Sequence, residues 1–124
     1  AFDVLKEIKE DTIIVAEFSS YMLRGISVSP HYAILLNIFP EHLNYHGSFE
    51  DYALSKANIF KFQKEGDYLA LGGSDTVKEI YSKIGSKASL VEQTMHLNIL
   101  VDRFPKKVIE NLELATSIAI YKSN

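Results

Sequence analysis

The chain has 124 residues, 47% hydrophobic and 23% charged, a length and balance that suit one domain, or a large part of one, with its own core. Its net charge of −3, without a basic cluster, argues against nucleic acid as a partner, and the absence of cysteine excludes disulfides and thiolate metal sites. No stretch approaches the roughly 18 consecutive apolar residues of a membrane span. The first residues carry no basic segment followed by an apolar run, so neither a signal peptide nor a membrane partner is expected.

In chain order, residues 1–10 have the spacing of a partial amphipathic helix. Thr12–Ala16 (TIIVA) is β-branched and continuously apolar, which predicts a buried strand. Tyr32–Ile38 (YAILLNI), after Pro30, predicts a second. A polar loop spans Pro40 to Ser48. Ser48, with Asp51 three residues on, makes an acidic variant of a capping box for a helix to about Gln63. Asp67–Leu71 (DYLAL) predicts a third strand, ended by Gly72 and Gly73. Ser74 or Asp75 caps a short helix to about Ile84, which Gly85 closes. Ser89–Val91 and Leu97–Val101 are weaker strands, and Pro105 opens a final helix to about Tyr121. Alternation of this kind predicts an α/β fold, a mostly parallel sheet flanked by helices.

Ligands of parallel α/β sheets bind outside the carboxyl ends of the strands. The first strand ends in Glu17, followed by Phe18, Ser19 and Ser20. The second ends in Asn37, followed by Glu41, His42, Asn44 and His46. A carboxylate and an imidazole at adjacent strand ends suit a hard cation with phosphate. Equally, Glu17 can cap the next turn and the histidines can be ordinary loop residues. On the following helix Phe49, Ala53, Lys56 and Phe60 share one apolar stripe. A lysine there must snorkel, find a carboxylate, or sit partly desolvated, where a neutral amine could capture CO2 as a carbamate. Spacing alone leaves these open.

Three motifs in order, Glu17-Phe18-Ser19-Ser20, Leu36-Asn37-Ile38-Phe39-Pro40-Glu41-His42-Leu43-Asn44-Tyr45-His46-Gly47-Ser48-Phe49-Glu50-Asp51-Tyr52 and Ser55-Lys56-Ala57-Asn58-Ile59-Phe60, resemble the central domain of the Mur ligases. The likeness covers residues 13–63 and weakens to one of pattern beyond them. It is closer to the branch that adds D-glutamate to UDP-N-acetylmuramoyl-L-alanine than to the branch that adds a diamino acid. The folate polyglutamate ligases share the scaffold and fit less well.

The resemblance implies part of a P-loop-type mononucleotide-binding domain in a cytoplasmic enzyme of peptidoglycan precursor synthesis. That enzyme uses ATP and Mg2+ and joins its two substrates through an acyl phosphate. Glu17 matches a glutamate that ligates the first Mg2+, and His42 a histidine that ligates the second. Lys56 matches a lysine whose carbamate helps hold the second metal, and Ser19 a serine contacting the UDP-sugar. Asn111 matches the asparagine of a His-Asn pair that contacts adenine. The chain departs from the pattern at Glu110, where the pair has histidine, at Leu114, where a second asparagine is expected, and at Met22, usually polar.

No Gly-x-x-x-x-Gly-Lys-Ser/Thr phosphate loop occurs in the sequence. In the family it precedes the residues matched here, as does the UDP-binding domain, while the amino-acid-binding domain follows. A larger protein is therefore expected, and these 124 residues alone are expected to be inactive. Two other readings stay open: another Mur or folylpolyglutamate-type ligase, and a non-catalytic binding module derived from one.

Overall fold

A computed structural model of the chain describes residues 6–92, 113–115 and 118. The expected strand at Leu97–Val101, Asn111, Glu110 and most of the last helix lie outside those residues. Helix α1 is a single turn, Ser20–Leu23, followed by strand β1, Tyr32–Leu35. A second single turn, α2 (Leu43–His46), leads into the long helix α3, Phe49–Lys61. Strand β2 (Tyr68–Leu71), helix α4 (Asp75–Ile84) and strand β3 (Ser89–Leu90) complete the order. The strands pair in the order β1-β2-β3, all parallel, with Ala33 opposite Leu69 and Ile34 opposite Ala70. The α/β architecture expected from alternation is therefore present.

Strand alternation assigns the layers. Ala33, Leu35 and Leu69 face α3 and α4, where they bury against Ala57, Ile59, Phe60 and Val77. Ala70, with Ile34 and Tyr68 beside it, points to the opposite face and packs on Leu114 and Ile118. Residues 113–115 and 118 are helical, so helix covers both faces of the sheet. Leu114, where the family pattern has asparagine, is 3% exposed and serves the core. Among the described residues no helix is long and apolar enough to cross a membrane.

The helix ends follow the expected chemistry. The Ser48 hydroxyl accepts from the Asp51 amide at 3.0 Å, and the Ser74 hydroxyl accepts from the Val77 amide at 3.4 Å. Gly47, at φ +79, makes the sharp turn between α2 and α3 that a side chain would strain. Past α3, Gln63 is 3% exposed and its amide donates to the carbonyls of Pro30 and Tyr68 at 3.0 and 2.9 Å. It thereby joins the starts of β1 and β2.

Three expectations fail. Thr12–Ala16 is not a strand: Ile13 and Ile14 are 65% exposed and Val15 93%. Thr12 instead closes a turn, with its hydroxyl accepting from the Lys9 amide at 2.9 Å. A continuously apolar strand needs a hydrogen-bonded neighbour and cover on both faces, and among the described residues neither reaches this segment. The helix expected over residues 1–10 shows, from residue 6 onward, only a 3-10 turn at residues 6–7. Residues 6–10 are exposed, so this part of the segment has no packed face to stabilise a helix. The second strand stops at Leu35 rather than Ile38, because the ladder ends where the Gly72 amide donates to the Leu35 carbonyl at 2.8 Å.

Two tests follow from the packing at the strand ends. A Cβ on Gly72 would lie 2.9 Å from Asn37 Oδ1, 3.0 Å from its amide N and 3.1 Å from the Leu36 carbonyl carbon. Gly72→Ala is expected to cost about 1–3 kcal/mol in denaturant unfolding, since backbone must move. At the other end, the Asp67 carboxylate accepts from the Lys64 amide at 2.7 Å and pairs with His31 Nδ1 at 2.7 Å. The Lys64 amide first, then His31, hold its pKa below the usual carboxylate range. A depressed folded pKa means the stabilisation is present above the unfolded pKa and lost as pH falls through the folded one. Asp67→Asn is expected to lower stability by roughly 0.5–1 kcal/mol near neutral pH, with the difference vanishing in strong acid. Thermal unfolding across that pH range checks it.

Candidate functional site

At the carboxyl end of β1 the chain opens into a cleft of about 330 Å³ lined by Glu17, Phe18, Ser19, Ser20, Met22, Glu41, His42, Tyr52 and Lys56. It is assembled from the segment before α1, the turn before α2, and α3. Of the residues singled out in the sequence, Glu17, Ser19, His42 and Lys56 meet here.

Each reaches the cleft for a local reason. Ser19 caps α1, its hydroxyl accepting from the Met22 amide at 3.3 Å, so it is Ser19 and not Glu17 that closes the turn. Glu17 is exposed and lines the cleft. His42 precedes α2 in a left-handed conformation, φ 55 and ψ 28, with no side-chain cap hydrogen bond. Such a conformation costs a non-glycine residue of order 1 kcal/mol or more and concentrates at functional sites. It leaves the imidazole 4.0 Å from the Glu41 carboxylate and edge-on to Tyr21, ring centroids 5.2 Å apart.

Lys56 is half-buried on the inner side of α3, between Ala53 and Phe60, which are 5% and 0% exposed. Its Nζ lies 5.9 Å from the centre of the Tyr52 ring, one helical turn earlier. Among the described residues it has no carboxylate partner, so of the three fates open to it, ion pairing is not the one adopted. Tyr52 is 4% exposed, and burial, then the Glu41 charge, push its phenol above the usual range. Tyr52 did not emerge from the sequence as a site residue, though its spacing four residues before Lys56 was the available signal.

His46 is the larger surprise. It was grouped with the loop histidines, yet it is 3% exposed beneath the cleft. Its Nε2 lies 3.0 Å from the Ser20 hydroxyl and its Nδ1 3.5 Å from the Ser55 hydroxyl. Ser55 donates its own proton to the Asp51 carbonyl at 2.7 Å. It can therefore accept from His46 in the tautomer that carries its proton on Nδ1, in which Nε2 accepts from Ser20. Burial first, then Arg24 and His42, hold the imidazole pKa below its usual value against an opposing pull from Asp51. A neutral ring satisfies this chain of hydrogen bonds completely.

The donor set suits Mg2+: one carboxylate at Glu17, a second at Glu41, an imidazole at His42, and open space for water. Among the described residues no three His, Asp or Glu side chains converge to enclose a metal.

Proteins named UDP-N-acetylmuramoylalanine--D-glutamate ligase from Bacillus cereus (strain G9842), Bacillus thuringiensis (strain Al Hakam) and Bacillus anthracis (strain A0248) are each similar to this chain. Identity is 43% over 76 residues, covering 60% of this chain and 17% of each relative. The chain thus spans about 17% of the length of the curated relatives it matches. The Mur ligase middle domain family matches residues 3–122. That match takes in the α/β sheet and every residue of the cleft, and the chain belongs to the Mur ligase family as a middle domain.

Proposed function

We propose that this chain is the partial ATP-binding central domain of an ATP-dependent, Mg2+-using ligase that adds D-glutamate to UDP-N-acetylmuramoyl-L-alanine in peptidoglycan precursor synthesis. The observation that carries this reading is the meeting of Glu17, Ser19, His42 and Lys56 in one cleft. The names of relatives at 43% identity favour D-glutamate as the amino acid added. The UDP-binding and amino-acid-binding domains, the phosphate loop and a cytoplasmic location belong to the same proposal.

Joining a carboxylate to an amine brings several oxyanions together, first on phosphate and then on the acyl group. Mg2+ supplies positive charge against those oxygens when bound. Glu17 and His42 are the residues that would hold it. Their placement on two separate turns, before α1 and before α2, spreads them along the cleft wall and leaves its mouth open to substrate.

Lys56 contributes through its amine. The neutral amine attacks CO2, a C–N bond forms, one proton leaves to solvent, and the side chain becomes an anionic carbamate. Half-burial over Tyr52 limits its motion, and the product offers two oxygens to the cleft. Ser19, whose hydroxyl oxygen already accepts from Met22, keeps its own proton to donate to an anionic or sugar oxygen of the substrate. Asn111 as an adenine contact rests on the family pattern alone.

In the full-length protein, Glu17→Ala and His42→Ala are each expected to reduce amide formation roughly 10²-fold or more with unfolding temperature near wild type. Both side chains are exposed in the cleft, so their loss creates no cavity. Steady-state rates beside calorimetry decide this, and near-normal rates in both variants would refute the assigned roles. Lys56→Ala is expected to abolish most activity, with partial recovery in added acetate or formate, whose oxygens can occupy the vacated space. A lysine that merely snorkels gives little loss of rate and no recovery.

A further inference from the structure

The Ser20–His46–Ser55 hydrogen-bond chain runs inward from Ser20 at the cleft wall, and the reaction outlined above gives it no task. Each end of the chain is next in sequence to a residue that lines the cleft. Ser20 follows Ser19, and Ser55 precedes Lys56. Ser20 is 1% exposed and Ser55 6%, so neither bond competes with bulk water. The imidazole is held on its other sides by the rings of Tyr21, Tyr45 and Tyr52, with centroids 5.6, 4.9 and 5.4 Å away.

This arrangement addresses a specific weakness. Helix α1 is only four residues long, and the segment before it, which carries Glu17, belongs to no strand. So short a turn has little stability of its own. Two side-chain contacts hold it: Asn58 Nδ2 on α3 donates to the Leu23 carbonyl at 2.9 Å, and the Ser20 hydroxyl bonds Nε2 of His46, the last residue of α2, whose Nδ1 lies 3.5 Å from Ser55 on α3. The first holds the end of α1 remote from the cleft. The second holds the end that carries Ser19.

We infer that His46 is a positioning residue, which ties the Ser19–Ser20 turn to helix α3 and thereby fixes the spacing between Ser19 and Lys56 across the cleft. The inference deepens the proposed ligase function and rests on it for its kinetic consequence. Without the tie, Ser19 and Glu17 drift relative to Lys56 while the sheet and the α3–α4 core keep their packing. A misplacement of about 1 Å is enough to cost a reaction up to roughly 10²-fold.

Two conservative variants separate the halves of the tie. In His46→Gln the side-chain amide oxygen can reach the place of Nε2 and accept from Ser20. In His46→Asn the shorter amide can replace only Nδ1 and donate to Ser55. The experiment uses the full-length protein and three variants, His46→Ala, His46→Gln and His46→Asn. It reads kcat and KM for ATP-dependent D-glutamate addition, the unfolding temperature, and hydrogen exchange in peptides covering residues 18–24 and 75–84. His46→Ala is expected to lower kcat roughly tenfold to a hundredfold, with exchange rising in the first peptide and unchanged in the second. His46→Gln is expected to recover most of both effects, and His46→Asn little of either. Rates that follow unfolding temperature across the three variants, unchanged exchange at residues 18–24, or a glutamine variant no better than alanine would each overturn the inference. Should the wild-type protein add no D-glutamate, the proposed function falls. The exchange comparison then decides the tie by itself: protection lost in alanine and kept in glutamine supports it, and any other pattern overturns it.

Discussion

Everything in this domain rests on the seating of helix α3 on the parallel sheet. Ala57 and Phe60 are fully buried there against Leu69, and Val77 of α4 closes the same layer. Burying a side chain such as Phe60 is worth about 1.5–3 kcal/mol, and the small Ala57 lets the helix approach closely. One turn before Phe60, the same side of the helix carries Lys56, which lines the cleft. A lysine could not sit on that stripe one turn later without losing its access to the cleft. The functional group is therefore placed by the core, and its rigidity is the rigidity of the core.

The remaining cleft residues are placed by polar interactions on short turns. Ser19 caps α1, His42 takes a left-handed backbone before α2, and His46 joins both turns to α3. This division has a physical logic. The metal and substrate contacts proposed for the cleft need open space and exposed oxygens, which turns can offer and a close-packed helix face cannot. Loops are mobile unless tied, and the buried hydrogen-bond chain through His46 ties these two where they meet α3. At the far end of the sheet, Gln63 and the His31–Asp67 pair hold the starts of β1 and β2 in the same manner.

The parts legible in the sequence were those with strong local signals. Ser48 marked the start of α3, Ser74 or Asp75 that of α4, Gly85 closed α4, and short apolar runs gave β1 and β2. The grouping of Glu17, Ser19, His42 and Lys56 came from the family resemblance, since the strand expected before Glu17 is not formed and spacing alone left the residues open. What was not legible depended on partners distant along the chain. Thr12–Ala16 has the composition of a buried strand, but composition cannot supply the neighbouring strand it needs among residues 6–92. His46 looked like its neighbour His42, because the burial that separates them comes from Ser20 and Tyr21, more than twenty residues upstream. Leu114 read as a departure from a polar motif and is a core residue under Ala70.

The proposed function makes the Glu17–His42–Lys56 cleft the place where phosphate oxygens and Mg2+ meet. A crystal structure of the full-length protein with MgADP and UDP-N-acetylmuramoyl-L-alanine tests it most directly. The account predicts metal density within reach of Glu17 and His42, extra density on Lys56 Nζ consistent with a carbamate, and the substrate carboxylate pointing at both. Nucleotide phosphates and metal bound elsewhere, with Lys56 unmodified and facing solvent, would contradict it.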